Sequence, residues 1–514
     1  MFKKLVIAIL IGLLSYPPFA FAGGAFDSKT FPGLEPDTYA DCFFYFNQGD
    51  ARMYGDGSFM TDGSGGGNHL EQGIGAKEFI ENATYLHADG TDDFAQQEVI
   101  ASWTGLTSAD IRCSFHATAS WLAWDALDFS AYNSADYEVI LTDATGKRKK
   151  GVLSATVGGG EAFTEKVVNG DNETAMASLD AEDNAVRCTA AQSADRGYDS
   201  SSNSMKLIQA HSGDGWFAYA LEDSNLSTLD AGKSYLISTQ HYDLGTNSGN
   251  AIRLRAYYNS GADYIADATG QTTQDAWVEQ GMNVVIDDSF KLYLYSYSSA
   301  YAIGDVTYWD NISIKERTDC DSNGVHCTWG TEEALFNVNA ITGIEIRKAA
   351  YSVTGDLSGF AVLRLDDGIP ATTYMLMSKW EAAGTYSYAI EVLTSGKLRG
   401  ALSADGTTNI LIDSDAAPFP NNQTGWYLVG WSYKTSTSFT FYVNGSAVAS
   451  TPTGGIPAAL FDTCARFEMG SYNKGTGLFL AGDVAASGLF ARYLTAAEQM
   501  NIYNSDTIKE IMGR

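Results

Sequence analysis

Apolar and polar positions alternate strictly along much of the chain. In Phe290-Lys-Leu-Tyr-Leu-Tyr-Ser-Tyr297, one side carries Phe290, Leu292 and Leu294 and the other Tyr293, Tyr295 and Tyr297. Ile252-Arg-Leu-Arg-Ala-Tyr-Tyr258 sets Arg253, Arg255 and Tyr257 opposite Ile252 and Leu254. A side-chain period of two is that of a strand with one buried face. Phe439, Phe441 and Val443 lead into Asn444-Gly445, the pair favoured in type I′ hairpins, where both central residues need positive φ. Such segments, separated by Gly, Asn, Asp and Ser clusters, recur to about residue 490. Only then does the period change. Thr495 is placed to cap Ala496–Tyr503, with Glu498 completing a capping box. The predicted fold class is all-β: tandem jelly-roll β-sandwiches followed by a short C-terminal helix.

Two polar or glycine-rich stretches, Val157–Glu161 and Arg317–Gly324, interrupt this pattern and divide residues 23–514 into 23–160, 161–318 and 319–514. Asp136–Lys150 reads as a hairpin with Lys147–Lys150 at a solvated tip. Ahead of these segments, Lys3 and Lys4, the apolar run Leu5–Leu14 and Ala20-Phe21-Ala22 read as a signal peptide over 1–22, its run too short to span a bilayer. The expected location is therefore secreted, extracellular or periplasmic. Gly23 in place of Cys argues against a lipoprotein anchor, and no later stretch reaches membrane-spanning length.

Composition narrows the partners. The chain has 32 Lys+Arg against 62 Asp+Glu, a net charge of −30, and loss of Lys3 and Lys4 takes it to −32. Phosphate-dominated partners, nucleic acid above all, are disfavoured by repulsion. With 45% hydrophobic and 18% charged residues the acidity does not indicate disorder. The six cysteines (Cys42, Cys113, Cys188, Cys320, Cys327 and Cys464) allow up to three disulfides in an exported chain, a Cys320–Cys327 loop bridge being the simplest, with buried thiols as the alternative. No C-x-x-C or H-E-x-x-H spacing points to a transition-metal site.

Val167-Val-Asn-Gly-Asp-Asn-Glu173, Ala231-Gly-Lys-Ser-Tyr-Leu-Ile237 and Val306-Thr-Tyr-Trp-Asp-Asn-Ile-Ser-Ile-Lys-Glu316 occur in the order found in CenC-type carbohydrate-binding modules, and residues 165–316 resemble that family. Asn172 stands where the family has Phe. The resemblance implies structural calcium (Ca2+) held by Glu173 and Asp310. An ionised Asp310 on an otherwise apolar strand face needs a cation or several donors; amides at a strand edge are the other way to supply them. Sugar binding needs flat aromatic faces beside planar hydrogen-bonding groups. The stripe Tyr293, Tyr295, Tyr297 with Arg253, Arg255 and Tyr257 is the candidate surface, flanked by Trp216 and Trp277. The alternative is that the tyrosines are ordinary strand formers.

Met377-Ser-Lys-Trp380, Gly425-Trp-Tyr-Leu-Val-Gly-Trp431, Phe441-Tyr-Val-Asn-Gly445 and Phe490-Ala-Arg-Tyr-Leu-Thr-Ala-Ala-Glu498 give residues 350–504 a resemblance to laminin-G-like/concanavalin A-like lectin domains. Asp366, Asp367 and Asp483 read as solvated turn acids. In the first segment, Asp62–Leu70 and His87–Phe94 are similar to the opening motifs of the same family. We expect 23–160 to be a separate, divergent β-rich domain; the alternative is the detached start of the last domain, with the middle module inserted.

Concanavalin-type sandwiches also include hydrolases, which place two carboxylates on one strand face as acid and nucleophile. No E-x-D-x-E run occurs here, nor a G-x-S-x-G elbow or a Walker loop. The expected function is that of a secreted, non-catalytic glycan-binding protein whose partner is a polysaccharide or glycoconjugate. The alternatives are a structural or adhesive surface protein with protein partners, and a polysaccharide-degrading glycoside hydrolase or lyase.

Overall fold

The computed structural model describes residues 42–47, 59–60, 70–72, 80–82 and 85–514, except 107–110, 118, 168–184, 200–201, 212–215, 223–228, 250, 259–262, 268–269, 287–289, 299, 334 and 423. The fold is all-β, with antiparallel sheets and two short C-terminal helices, Ala496–Asn504 and Asp506–Ile511. The capping box at Thr495 and Glu498 is formed. Asn444 and Gly445, at φ 50° and 77°, make the hairpin turn that the sequence requires of them.

The chain forms two compact units, residues up to Glu98 with Ala350–Arg514, and Val99–Ala349. In the second unit a sandwich is built from β1 (Ala162–Glu165), β2 (Ala185–Val186), β3 (Cys188–Ser193), β4 (Ser204–Gln209), β5 (Trp216–Glu222), β6 (Ser234–Asp243), β7 (Ile252–Tyr258), β8 (Asp263–Asp267), β9 (Trp277–Val285), β10 (Lys291–Tyr297) and β11 (Val306–Asp319). One sheet has the order β3-β4-β11-β6-β9, with β1 also on β11; the facing sheet has the order β2-β5-β10-β7-β8. The apolar sides of the alternating strands meet between them, with Leu207, Phe217, Ile237, Leu254, Leu294 and Trp309 all buried.

The same unit holds a seven-stranded sheet, Val99–Thr104, Ile341–Lys348, Tyr137–Asp143, Arg148–Val157, Val325–Glu332, Trp121–Trp124 and Ile111–Ser114 in spatial order. It is stitched to the sandwich at Val285, whose N–H and C=O both bond the Asn339 side chain, at 2.9 and 3.0 Å. Its tight hairpin contradicts the expectation of a solvated basic tip. Arg148, Lys149 and Lys150 are buried strand residues paired with Glu333, Glu332 and Glu138 respectively. Burial obliges each cation to take a carboxylate partner.

The first unit joins distant segments. Strand Ala481–Phe490 pairs with Leu357–Leu365 on one edge; on the other it pairs with Cys42–Asn47 and Tyr85–Asp89. In the facing sheet, Ala95–Gln97 bridges Leu70–Gln72 and Glu468–Met469. Ala88 and Ala95 belong to the same core as Met377, Ile390, Trp431 and Leu489. Segment 23–160 is therefore not one domain. Its strands up to Gln97 complete the C-terminal sandwich, whereas those from Val99 pair with Ile341–Lys348 and Val325–Glu332. Local alternation specifies a strand's faces and leaves its partner to long-range pairing, which is why the division at 160 is displaced.

The proposed Cys320–Cys327 bridge is not formed, and Cys113, Cys188, Cys320 and Cys327 are free thiols. Cys320 packs with Trp121 and Ala123, while Cys327 packs with Leu122 and Trp124. Alternation along Trp121–Trp124 puts these on opposite faces of the sheet, so the thiols point apart. Burial raises both, the Cys320 thiol to about 12.

His241, on the inner side of β6, is fully buried beside Trp309, and neither ring nitrogen has a hydrogen-bond partner. Burial lowers its pKa to about 4. The folded state therefore favours the neutral ring. Stability from this site is complete above the unfolded value of ~6.5 and declines as pH falls toward 4, by about 3 kcal/mol in total. Asp243, raised to about 6 by burial, acts in the opposite sense. The difference between wild type and His241→Leu isolates the histidine: wild type should lose about 3 kcal/mol relative to the variant between pH 6.5 and 4, read from urea midpoints. The pairing also makes a prediction about fragments. Residues 99–349 alone should melt cooperatively, whereas 350–514 alone, with one edge of Ala481–Phe490 bare, should aggregate or lack a cooperative transition in calorimetry.

Candidate glycan-binding face

β10 is central to the five-stranded sheet, and its polar side carries Tyr293, Tyr295 and Tyr297. β7 pairs with it so that Arg253 faces Tyr295 and Arg255 faces Tyr293. β5 flanks the other edge, with Trp216 opposite Tyr297, Ala218 opposite Tyr295 and Ala220 opposite Tyr293. Antiparallel register thus gathers seven of the eight sugar-binding candidates on one face.

The contacts are specific. Trp216 and Tyr297 both stack on Tyr295, with ring centroids 5.2 and 5.7 Å away and interplanar angles of 28° and 20°. Arg255 lies over Tyr295 at 4.6 Å and Arg253 over Tyr297 at 5.1 Å. Arg255 also donates to the Tyr257 hydroxyl at 3.2 Å, and Tyr257 meets Tyr293 edge to face at 5.3 Å. Tyr295 is 7% exposed and Tyr297 44%, so one ring supports the face and the other presents it. Burial raises the Tyr295 phenol's pKa, against the lowering effect of Arg255. Its hydroxyl stays protonated at neutral pH, able to donate as well as accept.

One member escaped the sequence reading. Arg187 lies between β2 and β3, which belong to opposite sheets, and takes φ 61° at this crossover. Its guanidinium sits 3.9 Å from the Trp216 ring centroid. Nothing local marks it: the left-handed conformation is unusual for arginine and arises where the chain changes sheet.

Trp277 does not join this face. It lies on β9 in the opposite sheet, edge to face with Tyr242 at 5.6 Å and Tyr198 at 5.7 Å, with Arg196 over Tyr242 at 4.1 Å. That sheet also borders a cleft of about 510 Å³ lined by Glu165, Ser238, Gln240, Glu279, Asn311 and Lys315 among others. Alternation places Trp277 on the outward side of its strand but cannot say which sheet the strand enters.

The expected calcium pair is only half described, since Glu173 lies outside the described residues. Asp310 is fully buried and accepts backbone N–H groups from Tyr198 and Asn311, both at 2.8 Å. Asn311 takes φ 47° in a bulge of β11, which turns its amide onto the carboxylate. Those amides answer the burial argument that called for a cation, and among the described residues Asp310 belongs to no group of three metal-ligating side chains.

Of the other acids, Asp367 accepts the N–H groups of Ile369 and Asn422 as a turn acid. Asp483 corrects its reading. It is a strand residue, 3% exposed, paired with Arg364 and His87.

No family model matches the chain, and no curated protein does. Solved structures that resemble it include the CBM40 domain of Ruminococcus gnavus IT-sialidase bound to α2,6-sialyllactose, 10% identical over 30% of this chain and 87% of that one, with a TM-score of 0.26. Trypanosoma rangeli sialidase in complex with 2,3-difluorosialic acid is 18% identical over 31% of this chain and 24% of its own, at 0.24. The receptor binding domain of botulinum neurotoxin type G is 12% identical over 29% of this chain and 38% of its own, at 0.23. Function therefore has to be read from the side chains of the face itself.

The packing distinguishes the two central tyrosines. Tyr295→Ala should destabilise the protein by about 2–4 kcal/mol in urea unfolding, because it empties a stacked, buried site. Tyr297→Ala should change stability by less than about 1 kcal/mol.

Proposed function

We propose that the protein is a secreted, non-catalytic glycan-binding protein. Its principal site is the five-stranded sheet's face bearing Trp216, Tyr297, Arg187, Arg253 and Arg255. The observation that carries this reading is the stack Trp216–Tyr295–Tyr297 with guanidinium groups over its rings. Aromatic faces bury the apolar C–H faces of a pyranose, while planar N–H donors reach its ring hydroxyls or a carboxylate. The rings are prepaid in entropy: packing against one another holds Tyr295 and its neighbours before a ligand arrives. The resemblance of residues 165–316 to CenC-type modules supports the same ligand class. Indole, phenol and guanidinium groups together are a set suited to holding a sugar.

A glycan array probed with residues 23–514, followed by calorimetry on the best ligand, tests the proposal. Tyr297→Ala and Trp216→Ala should each weaken binding at least about tenfold with the melting temperature little changed, since aromatic anchors dominate such contacts. Trp277→Ala, on the opposite sheet, should leave affinity unaltered. Unchanged binding in both Tyr297→Ala and Trp216→Ala would reject this face as the site.

A further inference from the structure

A sugar hydroxyl both donates and accepts hydrogen bonds, so a site for neutral sugars ordinarily mixes donors with acceptors. The face on β5, β10 and β7 is weighted to one side. The guanidinium groups of Arg187, Arg253 and Arg255 and the Trp216 indole only donate, while the phenols do both. Each ring of the stack has a guanidinium over it. Arg187 is 3.9 Å from the Trp216 centroid, Arg255 4.6 Å from that of Tyr295 and Arg253 5.1 Å from that of Tyr297. A ligand that meets these rings meets three cations with them.

Strand register shows where the acidic positions stand. Glu222 is opposite Lys291 where β5 pairs with the start of β10, and Asp267 is opposite Arg255 where β8 pairs with β7. Arg253 is instead opposite Tyr295, and Arg187 lies on the crossover beside Trp216. Trp216 and Tyr297 are themselves opposite each other, at the end of these strands away from Glu222. Tyr297, 44% exposed, opens that end to solvent.

We infer that this end selects sugars whose ring carries a carboxylate, uronic acids, over neutral ones, and that Arg187 and Arg253 set the preference; the inference rests on the glycan-binding reading of the same face. A carboxylate only accepts, which complements groups that only donate, and its two oxygens match the planar fork of a guanidinium. Contact with an aromatic ring engages the flat of a guanidinium and leaves its N–H groups pointing outward in its own plane, so the two interactions are compatible. A carboxylate on a pyranose carbon sits at the rim of a stacked sugar, where guanidinium groups flanking an aromatic platform reach it. The chain's net charge of −30 does not oppose this. At physiological salt the field of an exposed charge fades within about 8 Å, whereas a guanidinium–carboxylate contact acts at about 3 Å. The same acidity disfavours a densely sulfated polymer, whose charges would extend beyond the arginines.

Calorimetry on the full chain tests the inference by comparing acids with neutral partners: trigalacturonate with its methyl ester, and cellobiouronate with cellobiose. At least one acid should bind about tenfold more tightly than its partner, and raising sodium chloride from about 50 to about 500 mM should shrink that ratio several-fold. Arg187→Gln and Arg253→Gln should each bring the ratio to about twofold or less, whereas Lys434→Gln, at an exposed cation of the other unit, should keep it. The wild-type comparison decides the matter even where an arginine variant fails to fold. Equal binding of acids and neutral partners, abolished by Tyr297→Ala, would overturn the inference and leave the face as a site for neutral glycans. Tighter binding of cellobiose 6-sulfate than of cellobiouronate would overturn it too. If none of these probes binds, the inference fails, and the glycan array decides separately whether the face binds sugars at all.

Discussion

Backbone pairing along both edges of Ala481–Phe490 is the constraint on which the C-terminal sandwich depends. One edge is taken by Leu357–Leu365, a near neighbour in architecture, and the other by Cys42–Asn47 and Tyr85–Asp89, hundreds of residues earlier in the chain. A strand with a bare edge invites pairing with foreign chains. Closing that edge with N-terminal segments means that Val99–Ala349 must form between the two halves of one sandwich. The second unit is accordingly an insertion with its own cores, and the seven-stranded sheet formed from both its ends closes it as a body.

Within the inserted unit, the proposed binding face owes its order to side chains that stack on each other. Tyr295 is held between Trp216 and Tyr297, and the guanidinium groups of Arg187, Arg253 and Arg255 lie over rings. On a chain with a net charge of −30 these arginines are a local exception in sign. Cation–π contact orients each planar cation and limits the conformations it loses on meeting a ligand. The acidity of the whole therefore says little about this face, whose chemistry is set within a few ångströms.

Buried polar groups are resolved in different ways across the molecule. Asp310 receives two backbone amides, one supplied by a bulge at Asn311. Lys150 and Glu138 neutralise each other inside a sheet. His241 finds no partner and stays neutral, with its pKa lowered to about 4 by burial. Asp92 and Asp93 present oxygens without donors at a turn crowded with carboxylates. Each follows from the same cost of removing charge from water, and only the last leaves that cost unmet.

The amino-acid sequence by itself determined that Ile252–Tyr258, Phe290–Tyr297 and Phe439–Val443 are strand-forming, which side of each is apolar, the Asn444-Gly445 turn and the capped helix at Thr495. These depend on side-chain period and local φ preferences, which short stretches encode completely. It also placed Tyr293, Tyr295 and Tyr297 on one side of a strand and Arg253, Arg255 and Tyr257 on one side of another. Tertiary structure decided that these two strands are neighbours, that Trp277 belongs to the opposite sheet, and that Arg187 turns onto Trp216 at a crossover. It decided too that residues before Glu98 complete a sandwich begun after Ala349. The physical reason is the same in each case: alternation specifies the faces of a strand, while its partners are chosen by backbone pairing and core packing between segments far apart in the chain.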